Sequence, residues 1–196
     1  MRLDNPHELS LVLGLGLLPV AAWRGEVQLA RTALGQFRDH ALQHSQSFWT
    51  SWGRMFSDAL GGGPETPAPL AGKEADMAAT LWPERPVPEA RRRVEAGLVG
   101  WCAPEVLRVD AVSGLHTRRL SVDEAAAGLL RSLALARAQG ALSWELRTAS
   151  SLVDLWGPRG RGAEARDRLA AVLGRFAQGR QTRDLVEAAA RLHGAD

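Results

Sequence analysis

The sequence has little of several residue types, and each scarcity excludes a class of structure. Its 196 residues contain one cysteine, so no internal disulfide can form. Tyrosine is absent, and Lys73 is the only lysine among 24 basic residues. Runs of alternating β-branched and aromatic residues, from which strands are built, are nearly absent. We therefore expect an all-α protein, and a chain that does not need an oxidising compartment fits a cytoplasmic location.

The charge pattern gives little support for nucleic-acid binding. The formal net charge is only +2, and acids and bases are interspersed along the chain. The strongest basic cluster is Arg91 to Arg93, and nucleic acid is bound by concentrated patches rather than by dispersed charge. We interpret the arginines as solvated helix surface, so nucleic acid is not an expected partner of this chain by itself. A DNA-associated regulator that uses arginine-rich helix faces is the alternative.

The stretch LSLVLGLGLLPVAAWRG, from Leu9 to Gly25, is the longest apolar run. It is shorter than the roughly 18 to 20 residues that a membrane span needs. The residues before it lack the basic start of a signal peptide. Asn5 and Pro6 instead have the N-cap and first-turn positions of a helix. We expect the buried first helix of a hairpin and no membrane association, with secretion as the alternative because VAAW resembles a cleavage site.

Helical spacing continues through residues 1–60, which we expect to form a helical hairpin plus a third helix. The second helix has an apolar face made of Leu29, Ala33, Phe37 and Leu42. The third helix has an aromatic face made of Phe48, Trp49, Trp52 and Phe56. Residues 61–88 are rich in proline and glycine, which predicts an irregular linker with at most one turn between Glu74 and Leu81.

Residues 89–196 contain the clearest helix signals. Ser121 has the N-cap position and Glu124 the capping-box position of a helix that ends before Gly140. The next helix ends at Gly157 and Pro158, since proline cannot continue a helix. Two more helices follow after short turns, which predicts that neighbouring helices pack as antiparallel hairpins.

Parts of the C-terminal region repeat at an interval of about forty residues. Glu124-Ala125 recurs as Glu164-Ala165, and Leu107-Arg108 recurs as Leu146-Arg147. A tryptophan and a glutamate lie near each Leu-Arg pair. Each unit is then a helix-turn-helix that buries one face against its neighbours, as in a short tetratricopeptide-like solenoid.

Two segments of the sequence resemble a known protein family. The segments PVAAWRGEVQLARTALGQFRDHALQHSQSFWTSWGRMF and SLALARAQGALSWELRTASSL resemble the C-terminal tetratricopeptide-like region of large bacterial STAND-type signalling ATPases. Members of that family carry winged-helix DNA-binding or nucleotide cyclase domains, followed by the ATPase. These 196 residues contain no segment that resembles those domains, and the segment 61–88 stands where the family has regular hairpins. The resemblance implies an interaction module of a signalling or transcription regulator, or a degenerate fragment without its own activity.

Three short motifs have a chemical interpretation and a structural one. The glycines of GPRGRG, residues 157–162, lack the Lys-Ser/Thr of a phosphate loop and indicate a turn. His40 and His44 have the spacing of two metal ligands but no evident third ligand. Cys102 with His116 could be a nucleophile and base, yet a buried structural thiol is the expected state of Cys102. We expect no metal, no cofactor and no catalytic activity.

Aromatic and arginine residues at matching repeat positions define the predicted binding site. In a solenoid the first helices of the units line a concave groove, where arginine can pair bidentately with carboxylates. The expected partner is a protein or a carboxylate-bearing peptide, and self-association as a homodimer is also expected. The predicted groove residues are Trp49, Arg54, Trp101, Arg108, Trp144 and Arg147.

Overall fold

The computed structural model describes residues 5–61, 69–82 and 84–193, and in these ranges the chain forms ten helices and no strand. The all-α expectation is confirmed. The chain divides into two units, Met1–Leu81 and Trp82–Asp196. The helices are α1 (Pro6–Arg24), α2 (Val27–Gln43), α3 (Ser47–Ala59), α4 (Gly72–Leu81), α5 (Pro88–Glu95), α6 (Ala103–His116), α7 (Val122–Ala138), α8 (Leu142–Trp156), α9 (Gly162–Leu173) and α10 (Arg183–His193).

Helix α1 begins and ends where its sequence predicts. The Asn5 side chain accepts a hydrogen bond from the backbone N–H of His7 at 2.9 Å, and Pro6 is in the first turn. Gly25 follows the helix with φ of 78°, a left-handed conformation that favours glycine. The middle of the helix, Val12–Leu17, is π-helical.

The length expectation is wrong for the complete helix: by length and composition, the 19-residue α1 is the one helix in the described ranges that could cross a membrane. Its mean hydropathy is 1.2, and 33% of the apolar window is buried inside the protein. Leu18 and Ala21 are almost fully buried, which places one side of α1 in the core of the N-terminal unit.

Aromatic rings fill the core between α2 and α3. Phe37 meets Trp49 and Phe56 edge-on, with ring centroids 5.7 and 6.2 Å apart. Such T-shaped pairs are favoured because ring edges and ring faces carry opposite partial charge. Trp52 is also buried, whereas Phe48 is 58% exposed, so the aromatic face of α3 matches the prediction apart from its first residue.

The predicted apolar face of α2 is wrong at both ends. Leu29 is 43% exposed and Leu42 is 64% exposed, while Ala33 and Phe37 are buried as expected. Successive residues of a helix are rotated by about 100°, so a leucine one position from the buried stripe points away from it. The stripe consists of Ala30, Ala33, Leu34, Phe37 and Ala41.

The segment 61–88 contains a helix that its composition did not predict. Helix α4 has ten residues instead of one turn, and it belongs to the N-terminal unit. Ala75, Ala78 and Ala79 are at most 3% exposed, because these small side chains let α4 pack closely against α1 and α3. The Ser51 hydroxyl donates to the Glu74 carboxylate at 2.7 Å and fixes the first turn of α4 to α3.

The C-terminal unit is organised around α8. This helix packs against α6, α7, α9 and α10, and α5 packs against α6. The predicted capping box of α7 is confirmed: the Ser121 hydroxyl accepts from the Glu124 N–H, and the Glu124 carboxylate accepts from the Ser121 N–H. Gly140, with φ of 65°, lies in the turn to α8. The core of the unit includes Leu129, Leu133, Leu146, Leu152, Trp156, Leu169 and Val172.

We expect Gly14→Ala to destabilise the N-terminal unit. A Cβ atom at Gly14 would lie 2.9 Å from Cε2 of Phe37 and 3.2 Å from Cζ3 of Trp49. Overpacking of this kind costs about 1 to 3 kcal/mol. The free energy of unfolding, measured by urea titration of the full chain, should fall accordingly.

The matched control is Gly35→Ala in α2, where a Cβ atom would meet nothing within 4 Å. This change should raise the free energy of unfolding by about 0.5 to 1 kcal/mol, because alanine loses less backbone entropy in a helix. A Gly14→Ala protein as stable as the Gly35→Ala protein would contradict the packing described here.

Candidate cleft of the C-terminal unit

A cleft of about 650 Å³ lies along α6, α8 and α10. Alternate helices of the unit line most of it, and α7 contributes only Ala125 and Leu129. The apolar part of its lining is Ala111, Val112, Leu115, Ala125, Leu129, Leu146 and Leu155. The polar part is Glu84, Arg108, His116, Arg147, Ser150, Ser151, Asp154, Arg159, Arg183, Asp184, Glu187 and Arg191.

A buried chain of charges connects the three helices that line the cleft. Glu105, in the first turn of α6, is fully buried, and Arg108 holds both of its oxygens, with Nε and Nη2 at 2.8 and 2.9 Å. Arg147 of α8 donates to the same carboxylate at 3.0 Å. Arg147 also donates to Asp184 of α10 at 2.6 Å. We call Glu105, Arg108, Arg147 and Asp184 the ion-pair network.

The ion-pair network keeps Glu105 ionised. Burial alone raises the pKa of the Glu105 carboxyl, but the Arg108 and Arg147 guanidinium groups outweigh burial and hold the pKa below its ordinary value of 4.5. Burial likewise lowers the pKa of Arg147, and Glu105 and Asp184 raise it above its ordinary value. An isolated buried charge is very unfavourable, so each member of the ion-pair network requires the others.

A second buried carboxylate occupies the corresponding place in the next repeat. Glu145, in the first turn of α8, has a side-chain exposure of 2%. Arg137 of α7 donates to it at 2.7 Å, and Arg175, just after α9, donates at 2.5 Å. Glu105 and Glu145 are forty positions apart, so the sequence repeat corresponds to a repeated buried ion cluster.

Two cations at the cleft have weaker partners. Arg159 donates to the Leu155 carbonyl oxygen at 2.6 Å, and no carboxylate of the described residues lies within salt-bridge distance of it. Arg183 has 44% of its side chain exposed, and its carboxylate contacts, to Asp184 and Glu187, are long at 3.8 and 4.0 Å. Both guanidinium groups therefore retain N–H donors for an incoming anion.

The six predicted groove residues belong to both units, and only two of them line the cleft. Arg108 and Arg147 both line the cleft, and Trp144 contacts Arg147 with its ring centroid 5.1 Å from the guanidinium carbon. Trp101 is 45% exposed and is not part of the cleft lining. In the other unit, Trp49 is buried in the aromatic core and Arg54 is exposed.

The prediction missed the contribution of α10 and of the turn after α8. The predicted site includes neither Arg159, which lies in the predicted turn at residues 157–162, nor any residue of the last helix. The acidic and basic residues of α10 that reach the cleft, Arg183, Asp184, Glu187 and Arg191, recur at three- and four-residue spacing. That spacing places them on one helix face and could have indicated a shared surface.

The other motifs do not converge on a reactive centre. Cys102 is fully buried, as predicted, and it precedes α6 while His116 ends it. The two residues are thus about 20 Å apart along the helix axis. The His40 and His44 rings are adjacent, with centroids 4.4 Å apart, and His40 contacts the Pro6 carbonyl oxygen. Within the described residues, no group of three or more metal-binding side chains is present.

Carboxylates neutralise much of the arginine cluster of α5. Arg91 pairs with Glu95 at 2.8 Å and also with Asp110, and Arg92 pairs with Glu89 at 2.6 Å. Arg119 shares Asp110 at 2.5 Å. These ion pairs compensate part of the positive charge of the cluster within the protein.

The fold and the cleft define a helical protein whose alternate helices enclose a mixed polar and apolar groove. Comparison of the chain with protein-family models, with curated proteins and with solved structures gives no match.

We expect Glu105→Gln to lower the free energy of unfolding by about 3 to 5 kcal/mol, because the change removes the buried carboxylate to which both Arg108 and Arg147 donate. The pH dependence provides a second measurement. A carboxyl with a depressed pKa stabilises the fold above its unfolded pKa and loses that contribution as the pH falls through the folded pKa. The wild type should lose stability below about pH 4.5, and Glu105→Gln should lose less over the same range.

Glu124→Gln is the control, since this carboxylate is exposed and glutamine can also complete a capping box. Its effect on urea unfolding near neutral pH should be much smaller. Equal effects of the two substitutions would contradict the stabilising role of the ion-pair network.

Proposed function

We propose that the protein is a noncatalytic interaction module, similar to tetratricopeptide arrays, that binds a carboxylate-bearing peptide segment in the cleft. The cleft and its two weakly engaged arginines, Arg159 and Arg183, are the observation that carries the proposal. The peptide carboxylate would pair with these arginines, and a neighbouring apolar side chain would contact Leu115, Leu129 and Leu155. Concave sites of this kind combine apolar lining with a few placed polar groups.

The helix contacts support a tetratricopeptide-like arrangement. In such arrays the first helix of each unit contacts its own second helix and the first helix of the next unit. Here α6 packs against α7 and α8, and α8 packs against α9 and α10. With α6, α8 and α10 as first helices, the cleft lies on the surface that solenoids use for binding.

The ion-pair network supports the same function because it preorganises the cleft. Arg108 and Arg147 are held by Glu105 and Asp184 and do not need to be ordered when a peptide binds. A preformed groove lowers the entropic cost of association. The two arginines of the ion-pair network therefore shape the cleft, and the peptide carboxylate binds to Arg159 and Arg183 at its rim.

The family resemblance extends the proposal to a biological role. In a signalling ATPase, a helical array of this type would sense a protein or ligand and bias the nucleotide switch. We propose that this chain derives from such a regulator, is cytoplasmic and acts through protein contacts.

Selection from a phage-displayed library of random peptides against the full chain tests the binding function. Selected peptides should share an aspartate or glutamate next to a leucine or phenylalanine. Arg159→Ala and Arg183→Ala should each weaken binding of a selected peptide by about tenfold, which corresponds to one charge-assisted hydrogen bond of roughly 1.5 kcal/mol. Fluorescence anisotropy of the labelled peptide measures both affinities.

Arg131→Ala is the matched control, because Arg131 is exposed on α7 and does not line the cleft. Its variant should bind as the wild type does. Failure to enrich any sequence, or equal losses in all three variants, would sink the assignment of the cleft as a peptide site.

A further inference from the structure

The outward side of α1 carries several large apolar side chains. Leu11 and Leu15 are each 46% exposed, Val12 is 56% exposed and Val20 is 44% exposed. Monomeric proteins seldom present several large apolar side chains together on one helix without a partner. The buried side of the same helix, with Leu13, Leu18 and Ala21, packs inside the N-terminal unit.

Five residues at intervals of four form a line along this outward side. They are Glu8, Val12, Gly16, Val20 and Arg24, which we call the outward stripe; four are exposed and Gly16 is half-buried. In a regular α-helix, residues four apart rotate by about 40° and such a line would wind around the helix. The π-helical segment Val12–Leu17 has wider turns, which offset this rotation and keep the line on one side.

The outward stripe has opposite charges at its two ends and a glycine at its centre. Glu8 and Arg24 each lie eight residues from Gly16. A two-fold axis through Gly16 would therefore place Glu8 of one copy against the partner's Arg24, and Val12 against the partner's Val20. A parallel pairing would instead bring like charges together.

We propose that a second copy of the chain binds this face, with the two α1 helices antiparallel and crossing at Gly16. A Cβ atom at Gly16 would meet nothing within 4 Å in its own chain, so the missing side chain leaves room for close approach of a second helix. The contact is isologous, since each stripe supplies both the anion and the cation.

The present partner of Arg24 does not prevent this contact. Glu26 accepts from Nε and Nη2 of Arg24 at 2.7 Å, and both side chains are exposed. Exposed pairs contribute little, and the remaining guanidinium N–H groups can bind a second carboxylate. Glu8 has no ion-pair partner among the described residues.

The composition of the stripe favours a protein partner over a lipid surface. Helices that lie on membranes carry a cationic polar face beside the apolar one. The stripe has one anion and one cation, and the other side of α1 is occupied by the core of the unit. Insertion of α1 into a bilayer would remove Leu18 and Ala21 from that core.

Sedimentation velocity of the full chain tests the proposal through charge reversal. The wild type should sediment as a dimer. Glu8→Arg and Arg24→Glu should each raise the dissociation constant by about tenfold or more, because each puts two like-charge contacts into the interface. The double variant restores opposite charges and should return the constant to within about threefold of the wild type.

Further variants keep the test decisive if a charge reversal perturbs folding. Val20→Glu should give a monomer with unchanged circular dichroism. Leu98→Glu, at a leucine 66% exposed in the other unit, should remain dimeric. A double variant that carries both Glu8→Cys and Arg24→Cys should form disulfide-linked dimers on mild oxidation, because position 8 of one copy lies against position 24 of the other. The single variant Glu8→Cys should not.

Three outcomes would overturn the proposal. The first is a monomeric wild type at high micromolar concentration, and the second is a dimer that the charge reversals do not affect. The third is a monomer that co-sediments with vesicles of phosphatidylcholine and phosphatidylglycerol, which would assign the stripe to a membrane surface. None of these outcomes bears on the peptide-binding function of the cleft, so the two proposals are tested separately.

Discussion

The C-terminal unit depends on the compensation of one buried carboxylate. Glu105 is fully buried and stays ionised only because Arg108 and Arg147 surround it. Apolar burial is non-directional and would tolerate small rotations of α6 against α8. The ion pairs do not, since a displaced guanidinium leaves an unpaired charge in the interior. Through Arg147 and Asp184 the same constraint extends to α10, so the three helices that line the cleft are fixed relative to each other.

The N-terminal unit is held by a different constraint, which is close packing of rings against a glycine. Phe37 and Trp49 approach the Cα of Gly14 so closely that even a methyl group would clash. The same part of α1, VLGLGL, contains only apolar residues and glycines, so it presents one apolar side to these rings and a second to the outside. The unit buries aromatic surface efficiently, and it leaves a helix face whose residues are suited to a second copy.

The accuracy of the sequence predictions depended on how local the decisive interaction is. Asn5 with Pro6, and Ser121 with Glu124, act within one helical turn, and both were predicted correctly. Helix α4 was missed because prolines and glycines before Gly72 dominate the composition of the segment. Its alanines are stabilised by contact with α1 and α3, which no local signal shows. Trp101, which the groove prediction includes, is exposed but does not line the cleft.

The candidate site shows the same division at the level of single residues. Arg108 and Arg147 were identified from the repeat, and the structure does place both at the cleft. Their partners were not predicted, because Arg147 reaches Glu105 over 42 positions and Asp184 over 37. A repeat shows which positions are equivalent, but it does not show which charges meet between repeats.

The sequence by itself determined the all-α class, the ends of the main helices and the equivalence of Glu105 and Glu145. Caps, stops and periodicity act over a few residues, so they can be read along the chain. Only the tertiary structure decided that both glutamates are buried, which arginines compensate them, and which cations remain available at the cleft rim. Those outcomes depend on desolvation and on distances between helices, and both exist only once the helices have packed.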